Sequence, residues 1–538
     1  MYLNYKNIFS ILISSLALGA GAAPAAPVTA PPAGWSQGVF MEVFVRAYQD
    51  SDGDGIGDLR GLTRRLDYLQ QLGVTGLWLM PITRSADHDH GYAITDFRAI
   101  EPDYGSLADF DAFVREAHRR GIGVVMDYIL NHSASQHPWF QDSLANPQSP
   151  WRDWYVWQDP APADLKDWDI WGHTPWYALP GQASDSARFF ATFGPHMPDF
   201  NLRNPAVVDY HRESLRFWLD RGLDGFRLDA VPHLIENSAR DWNDQPESRA
   251  LTADFARLIR SRPGRFSVCE ATASPTAYAS PDVCGSAFDF GLERLIIQAA
   301  RGEEAALQPL VTHFEHTPLN MATMLANHDI FAGARVWDQL AGDEARYRLA
   351  AATYLLLPGI PFLYYGEEIG MAGVAGPGDV PLRAPMSWTA EGGFTSGQPF
   401  RAVAPNAGTH NAAAQARDPG SLLNHYKALI ALRKAQPALR AGDYTQAFQS
   451  GHVIGFQRRA GGDGARGRGQ VLLVLINYGS EPWQGAAPGM APSQRLQPLL
   501  RSAAQGRLDR RQPHQSRHAV RADALQLPPQ SFAVYRLR

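Results

Sequence analysis

Between Val39 and Tyr365 the chain alternates short β-branched or apolar runs with helical stretches, and this alternation narrows the folds open to it. The runs occupy residues 39–46, 76–81, 124–131, 225–231, 266–270, 287–291, 322–327 and 361–365, each bounded by Gly or polar residues. Helical periodicity fills stretches such as 62–72, 110–119 and 347–357. Near-continuous apolar strands with helices between them belong to a parallel sheet covered on both faces. Eight such units predict an α/β fold, a closed (β/α)8 TIM barrel, and such barrels carry their chemistry at the C-terminal ends of the strands.

Two regions break the alternation. After Asn131 comes an insertion, residues 132–198, too long for an ordinary loop. It holds Trp139, Trp151, Trp154, Trp157, Trp168, Trp171 and Trp176, which suit either a wall of the substrate cleft or a satellite core beneath a long loop. After the helical stretch 422–434 the pattern changes again. From residue 441 to 538, short alternating strands such as 471–477 and 531–537 predict an antiparallel β-sandwich domain, with 461–469 as a hairpin tip. The barrel is then split between 35–131 and 199–440, and no internal repeat is present.

The N-terminus reads as a signal peptide over 1–22: Lys6, an apolar stretch over 8–20, then Ala20-Gly21-Ala22 as a small-residue cleavage site. Residues 23–34 form an Ala/Pro-rich linker. The apolar stretch is shorter than a spanning helix requires, so a periplasmic or secreted protein without stable membrane insertion is expected. An uncleaved anchor is the alternative. Cys269 and Cys284 suit a disulfide in an oxidising compartment or two buried thiols, and neither has metal-site spacing. A net charge of -5 lacks the basic footprint of a nucleic-acid partner.

Three carboxylates end predicted barrel strands: Asp229, Glu270 and Asp329. An acid at the end of an apolar strand is costly inside a packed core and explicable where the strand opens into a cleft. Cleaving a glycosidic bond needs one carboxyl to protonate the leaving oxygen and another to attack or stabilise an oxocarbenium-like centre. Neighbouring strand ends, ~4.8 Å apart, can supply the ~5–5.5 Å separation of a retaining pair. Arg227 shares a face with Asp229 by strand alternation and can hold it ionised. Asp329 would bind sugar hydroxyls and help keep Glu270 protonated through like-charge repulsion. His132 and His328 flank the site. A separate motif, Asp50-Ser51-Asp52-Gly53-Asp54-Gly55-Ile56-Gly57-Asp58, offers alternate carboxylates, a Gly at a sharp turn and the Ile56 carbonyl, which suits Ca2+. Unlike an EF-hand, its twelfth position is Gly61 rather than Glu.

Asp127-Tyr128-Ile129-Leu130-Asn131-His132, the Asp229 and Glu270 runs and Asn327-His328-Asp329 resemble, in order and spacing, the four short conserved regions of the α-amylase family, glycoside hydrolase family 13. The likeness extends from about Trp35 through Arg433. It implies Asp229 as nucleophile, Glu270 as acid/base and Asp329 as transition-state stabiliser. It also implies Arg227, His132 and His328 around the attacked sugar, Tyr92 as a stacking ring, Asp89 as a sugar-binding aspartate, and structural Ca2+ at the acidic loop.

Met197-Pro198-Asp199-Phe200-Asn201 resembles the subgroup intermediate between oligo-1,6-glucosidases and neopullulanases, with Phe200 in place of the usual Leu. Ala230 stands where oligo-1,6-glucosidases carry Val. Asn131-His132-Ser133 and Gln136-His137-Pro138-Trp139-Phe140 are similar instead to trehalose synthases and α-glucosidases. Export favours an α-amylase acting endo on α-1,4-glucans or maltooligosaccharides. The alternatives are an α-glucosidase, a trehalose synthase or a glucanotransferase and, more remotely, a non-catalytic carbohydrate-binding protein.

Overall fold

The computed structural model describes residues 30–178, 186–461, 469–509 and 519–537. The signal peptide, most of the linker and most of the expected hairpin tip lie outside the described residues. Seven parallel strands form one sheet: Phe40–Val43, Gly76–Leu79, Gly123–Tyr128, Gly225–Leu228, Phe266–Cys269, Ala322–Thr323 and Ile360–Tyr364. The last strand pairs with the first, Phe40 opposite Phe362. The remaining gap is closed by parallel bridges from Cys269 to Ala287 and from Phe288 to Ala322.

The TIM barrel is thus complete, but its sixth unit is shorter than the run 287–291 predicts. Gly291 takes φ 103° and launches helix Leu292–Ala300 at once, so the chain leaves the ladder early. The first run also stops short, at Val43, where residues Val45–Tyr48 wind into a helical turn. The stretch 62–72 is two helices, Leu59–Arg64 and Leu66–Leu72.

Alternation along the strands sorts their side chains. Phe40, Trp78, Val125, Val268, Phe288 and Phe362 pack with one another inside the barrel, Phe40 stacked on Phe362 at 4.4 Å. Met41, Leu77, Val124, Met126, Phe226 and Leu363 join the larger core under the helices. Helix Leu107–Arg119 is a representative cover. A reciprocal Ser106/Asp109 capping box starts it, and Phe110, Phe113, Val114 and Ala117 give it one buried face. Burying each Phe contributes ~1.5–3 kcal/mol. One layer nearer the C-terminal rim the inward residues turn polar: Glu42, Asp127 and Arg227, all buried.

The insertion starts and ends side by side, His132 bridging Asp199. Its three-stranded sheet, Trp157–Gln158, Arg188–Phe190 and Trp176–Ala178, carries the satellite core of Trp168, Ile170, Trp176 and Phe190. Trp139, Trp151 and Trp154 pack on each other at 4.7 Å. Of the seven insertion Trp, Trp171 is the one that reaches the cavity described below. The C-terminal region forms a six-stranded antiparallel sheet with a two-stranded partner, Trp483–Gly485 and Leu525–Leu527. Leu473, Leu475, Ala533 and Tyr535 face that partner, whereas Leu472, Val474, Phe532 and Val534 face the barrel helices. Cys269 and Cys284 are disulfide-bonded. No helix among the described residues is long and apolar enough to cross a membrane.

Candidate active site

Asp229 and Glu270 each follow the last residue of a neighbouring strand, and those last residues, Leu228 and Cys269, are partners in register. The two carboxylates therefore stand beside one another at the rim. A single guanidinium ties them. Arg227 Nη1 contacts Asp229 Oδ1 and lies 2.9 Å from Asp127 Oδ1, while Arg227 Nη2 lies 3.0 Å from Glu270 Oε2. The Ala230 N–H donates to that same Oε2 at 2.9 Å, which leaves Oε1 for a substrate.

Asp229, Glu270 and Asp329 line one cavity of about 580 Å³, together with Tyr92 and His132. This volume falls within the ~300–1,000 Å³ range of small-molecule sites. Arg227 and His328 stand buried behind the wall. Asp89 is not part of the lining; its carboxylate is held at 3.1 Å by Arg401. The acidic loop lies outside the cavity. Carboxylate oxygens of Asp50, Asp52 and Asp58 come within 4.8 Å of one another there, and Asp54 is not in that group.

Positive charge is scarce in this site. Three carboxylates share Arg227, and Asp329 is served by Arg383 at 3.3 Å, which also holds Asp379 at 3.0 Å. Burial raises Asp229 well above the ordinary carboxylate range, and Arg227 only partly opposes this. Asp127 is raised to about 6 by burial against the same arginine. Asp329 is raised to about 7, first by burial and then by the charge of Glu270. A site short of cations stabilises positive charge that develops on a bound sugar.

Burial also fixes the proton arrangement behind the wall. Tyr92 donates its hydroxyl to Asp127 Oδ2 at 2.9 Å and meets His328 Nε2 at 2.7 Å, so Nε2 carries the hydrogen there. His328 is driven down and Glu42 up, both first by desolvation. His328 Nδ1 lies 2.6 Å from Glu42 Oε1, and this contact anchors the ring behind the wall. Nε2 also faces Asp329 Oδ2 at 3.1 Å. His132, lowered by burial to about 3, is neutral too, and its Nε2 has no partner among the described residues. It can serve a sugar hydroxyl.

Glu42, Arg383, Asp379 and His233 carry no motif in the sequence, and Trp171 stands there only as one of seven insertion tryptophans suited to a cleft wall. Glu42 gave one signal, an acid inside an apolar run. Arg383 and Asp379 lie in an irregular segment after the last strand, where no periodicity marks them.

The alpha-amylase catalytic-domain family matches residues 42–442. The trehalose synthase/amylase TreS of Mycobacterium tuberculosis is 34% identical over 511 residues, covering 85% of this chain and 84% of that protein. Alpha-amylase 3 of Dictyoglomus thermophilum is 34% identical over 420 residues, covering 76% and 79%. Among solved structures, the alpha-glucosyl transfer enzyme XgtA superposes with a TM-score of 0.78 at 28% identity, over 94% of this chain and 99% of that one.

Proposed function

Because the chain belongs to the α-amylase family, glycoside hydrolase family 13, we propose that it is a retaining enzyme that removes or transfers an α-glucosyl unit from the end of short α-glucosides. Maltooligosaccharides and α-linked disaccharides are the substrate class. The observation that carries this reading is the pair Asp229 and Glu270, adjacent in register and opening into one cavity. Asp229 attacks the anomeric carbon as the glycosidic C–O bond breaks, and Glu270 gives its proton to the departing oxygen. Glu270 then takes a proton from water or from a sugar hydroxyl, whose oxygen attacks the same carbon and frees Asp229. Asp329 binds ring hydroxyls, and Tyr92 and His132 position the sugar.

Action at chain ends, the alternative set beside endo-amylase above, has the stronger support. Arg401 pairs with Asp89 and donates to the Arg383 carbonyl at 3.1 Å, strapping the His90–Tyr92 loop to the segment that carries Arg383. XgtA bears the name of an alpha-glucosyl transfer enzyme, and TreS that of a trehalose synthase and amylase. The name of alpha-amylase 3 keeps internal cleavage as the second reading. Chromatography of early products from maltoheptaose separates the two. Glucose and maltohexaose, or transfer products one glucose unit longer, support end action; a spread of internal fragments refutes it.

The acidic loop fits Ca2+. Asp50, Asp52 and Asp58 converge, none of the four loop aspartates pairs with a Lys or Arg among the described residues, and Asp54 is raised by burial and then by its acidic neighbours. Asp50, Asp52 and Asp58, with Asp54 and the Ile56 carbonyl, would hold the ion, which would neutralise the loop as a structural clasp. Export is part of the same proposal: the disulfide suits an oxidising compartment, and the periplasm or cell exterior is where the N-terminal segment points.

A further inference from the structure

Among the described residues four large hydrophobic side chains are exposed: Trp171 at 60%, Phe331 at 57%, Ile330 at 46% and Leu319 at 38%. Three of them, Trp171, Ile330 and Phe331, line the catalytic cavity. The other large apolar groups among the described residues are buried or partly buried, whereas these three stand exposed around one cavity, and exposed apolar surface gathered at one place marks a binding site. They come from separate parts of the fold. Trp171 belongs to the insertion, and Phe331 follows Asp329 by two residues.

Both aromatic rings are buttressed although exposed. Trp171 meets Trp242 edge-on at 5.6 Å, His233 at 5.4 Å and Phe193 at 5.6 Å. Phe331 rests against Phe290 at 5.2 Å. Trp171 also sits at φ 50°, a left-handed conformation that is an outlier for a bulky side chain. Strain of this kind persists where the surroundings over-determine it, and it collects at ligand clamps. Ile330 is held in turn, its N–H donating to Asp379 Oδ1 at 2.9 Å.

We infer that Trp171 and Phe331 clamp the sugar ring on the leaving-group side of the scissile bond, which is also the position of an incoming acceptor sugar. This rests on the glucosyl-transfer reading above and assigns its second binding position. Asp229, Tyr92 and His132 hold the attacked ring deep in the cavity, so the exposed rings at the mouth meet the other one. A pyranose has apolar C–H faces, and a fixed aromatic plane buries such a face without demanding one hydroxyl pattern. The clamp therefore accepts varied leaving and acceptor sugars and sets how firmly they are held.

The test compares maltose with α-glucosyl fluoride, whose fluoride leaving group has no ring to clamp. In the fluoride reaction the C–F bond breaks, fluoride departs, and water later supplies the hydroxyl. Trp171→Ala and Phe331→Ala are expected to lower kcat/KM for maltose by about tenfold or more while fluoride turnover holds within about twofold. Trp171→Phe and Phe331→Tyr should recover most of the loss. If the wild-type enzyme turns over the fluoride and the variants leave the maltose-to-fluoride ratio unchanged, the clamp is refuted while the active-site reading stands. Equal loss on both substrates also refutes it, since the rings would then serve the cavity itself. A wild-type enzyme inert toward both removes the activity reading and the clamp with it.

Discussion

Ala230 donates its N–H to Glu270 Oε2 at 2.9 Å from a left-handed backbone conformation, φ 48°, that non-glycine residues seldom adopt. The turn that ends the Asp229 strand is thus bent toward the neighbouring acid, and one backbone feature positions both reacting groups. Arg227 completes the coupling by contacting both carboxylates.

In their proposed roles Asp229 and Glu270 act on the reacting bond and hold little of the core, so their isosteric amides should fold normally. Asp229→Asn and Glu270→Gln are each expected to reduce kcat on maltose by about 10³-fold or more. Far-UV circular dichroism should match the wild type. Near-normal turnover in either variant would remove that residue from its assigned role.

Burial makes Asp329 hold its proton up to about pH 7 in the folded protein, whereas an unfolded Asp releases it near ~3.9. Between these values the folded state carries the extra proton, so stability falls as pH rises, by at most about 1.4 kcal/mol per pH unit. Below the unfolded pKa both states are protonated and the penalty vanishes. Asp329→Asn should therefore raise Tm relative to wild type at pH 8, with little difference at pH 4, while impairing turnover. Melting curves of both proteins across this range check it, and a Tm difference that ignores pH would count against the assignment.

What could be read in advance follows from where information is local. Strands such as Gly225–Leu228, buried throughout, stand out as short, largely apolar runs, and acids closing two such runs pointed to Asp229 and Glu270. Asp329 was reached through run 322–327, although the strand itself is only Ala322–Thr323 and the chain is irregular from there to the acid. Arg383 was not, because its position beside Asp329 arises only when the barrel closes. Nor could Trp171 be told from Trp168 and Trp176, which share its local composition but turn into the satellite core. Run 287–291 read as a full strand because β-propensity does not register the early exit at Gly291.

Under the Ca2+ proposal, four aspartates without Lys or Arg partners among the described residues would make the loop 50–58 depend on its ion. Chelation should lower Tm by several degrees, since ~1 kcal/mol shifts a domain of 150–250 residues by about 2–4 °C. Re-adding Ca2+ should restore it, and Asp52→Ala should melt low with or without chelator. An unchanged melting curve after verified metal removal would exclude a stabilising ion there.

The disulfide closes a loop between residues 15 apart in sequence, directly before Glu270. A loop of this length is worth ~3 kcal/mol in the chain-entropy account, mostly through restriction of the unfolded chain. The strand end has other ties: Cys269 N–H donates to the Ser286 carbonyl at 3.0 Å, and Ser267 Oγ donates to the Cys284 carbonyl at 2.6 Å. Reduction should therefore cost stability while leaving Glu270 in place. Cys284→Ser is expected to shift the urea midpoint downward by the equivalent of about 2–4 kcal/mol and to retain most activity at low temperature. If reductant moves the wild-type midpoint equally and leaves the variant unaffected, the bond itself is the source. A large loss of activity at full folding would instead mean that the bond positions the catalytic acid.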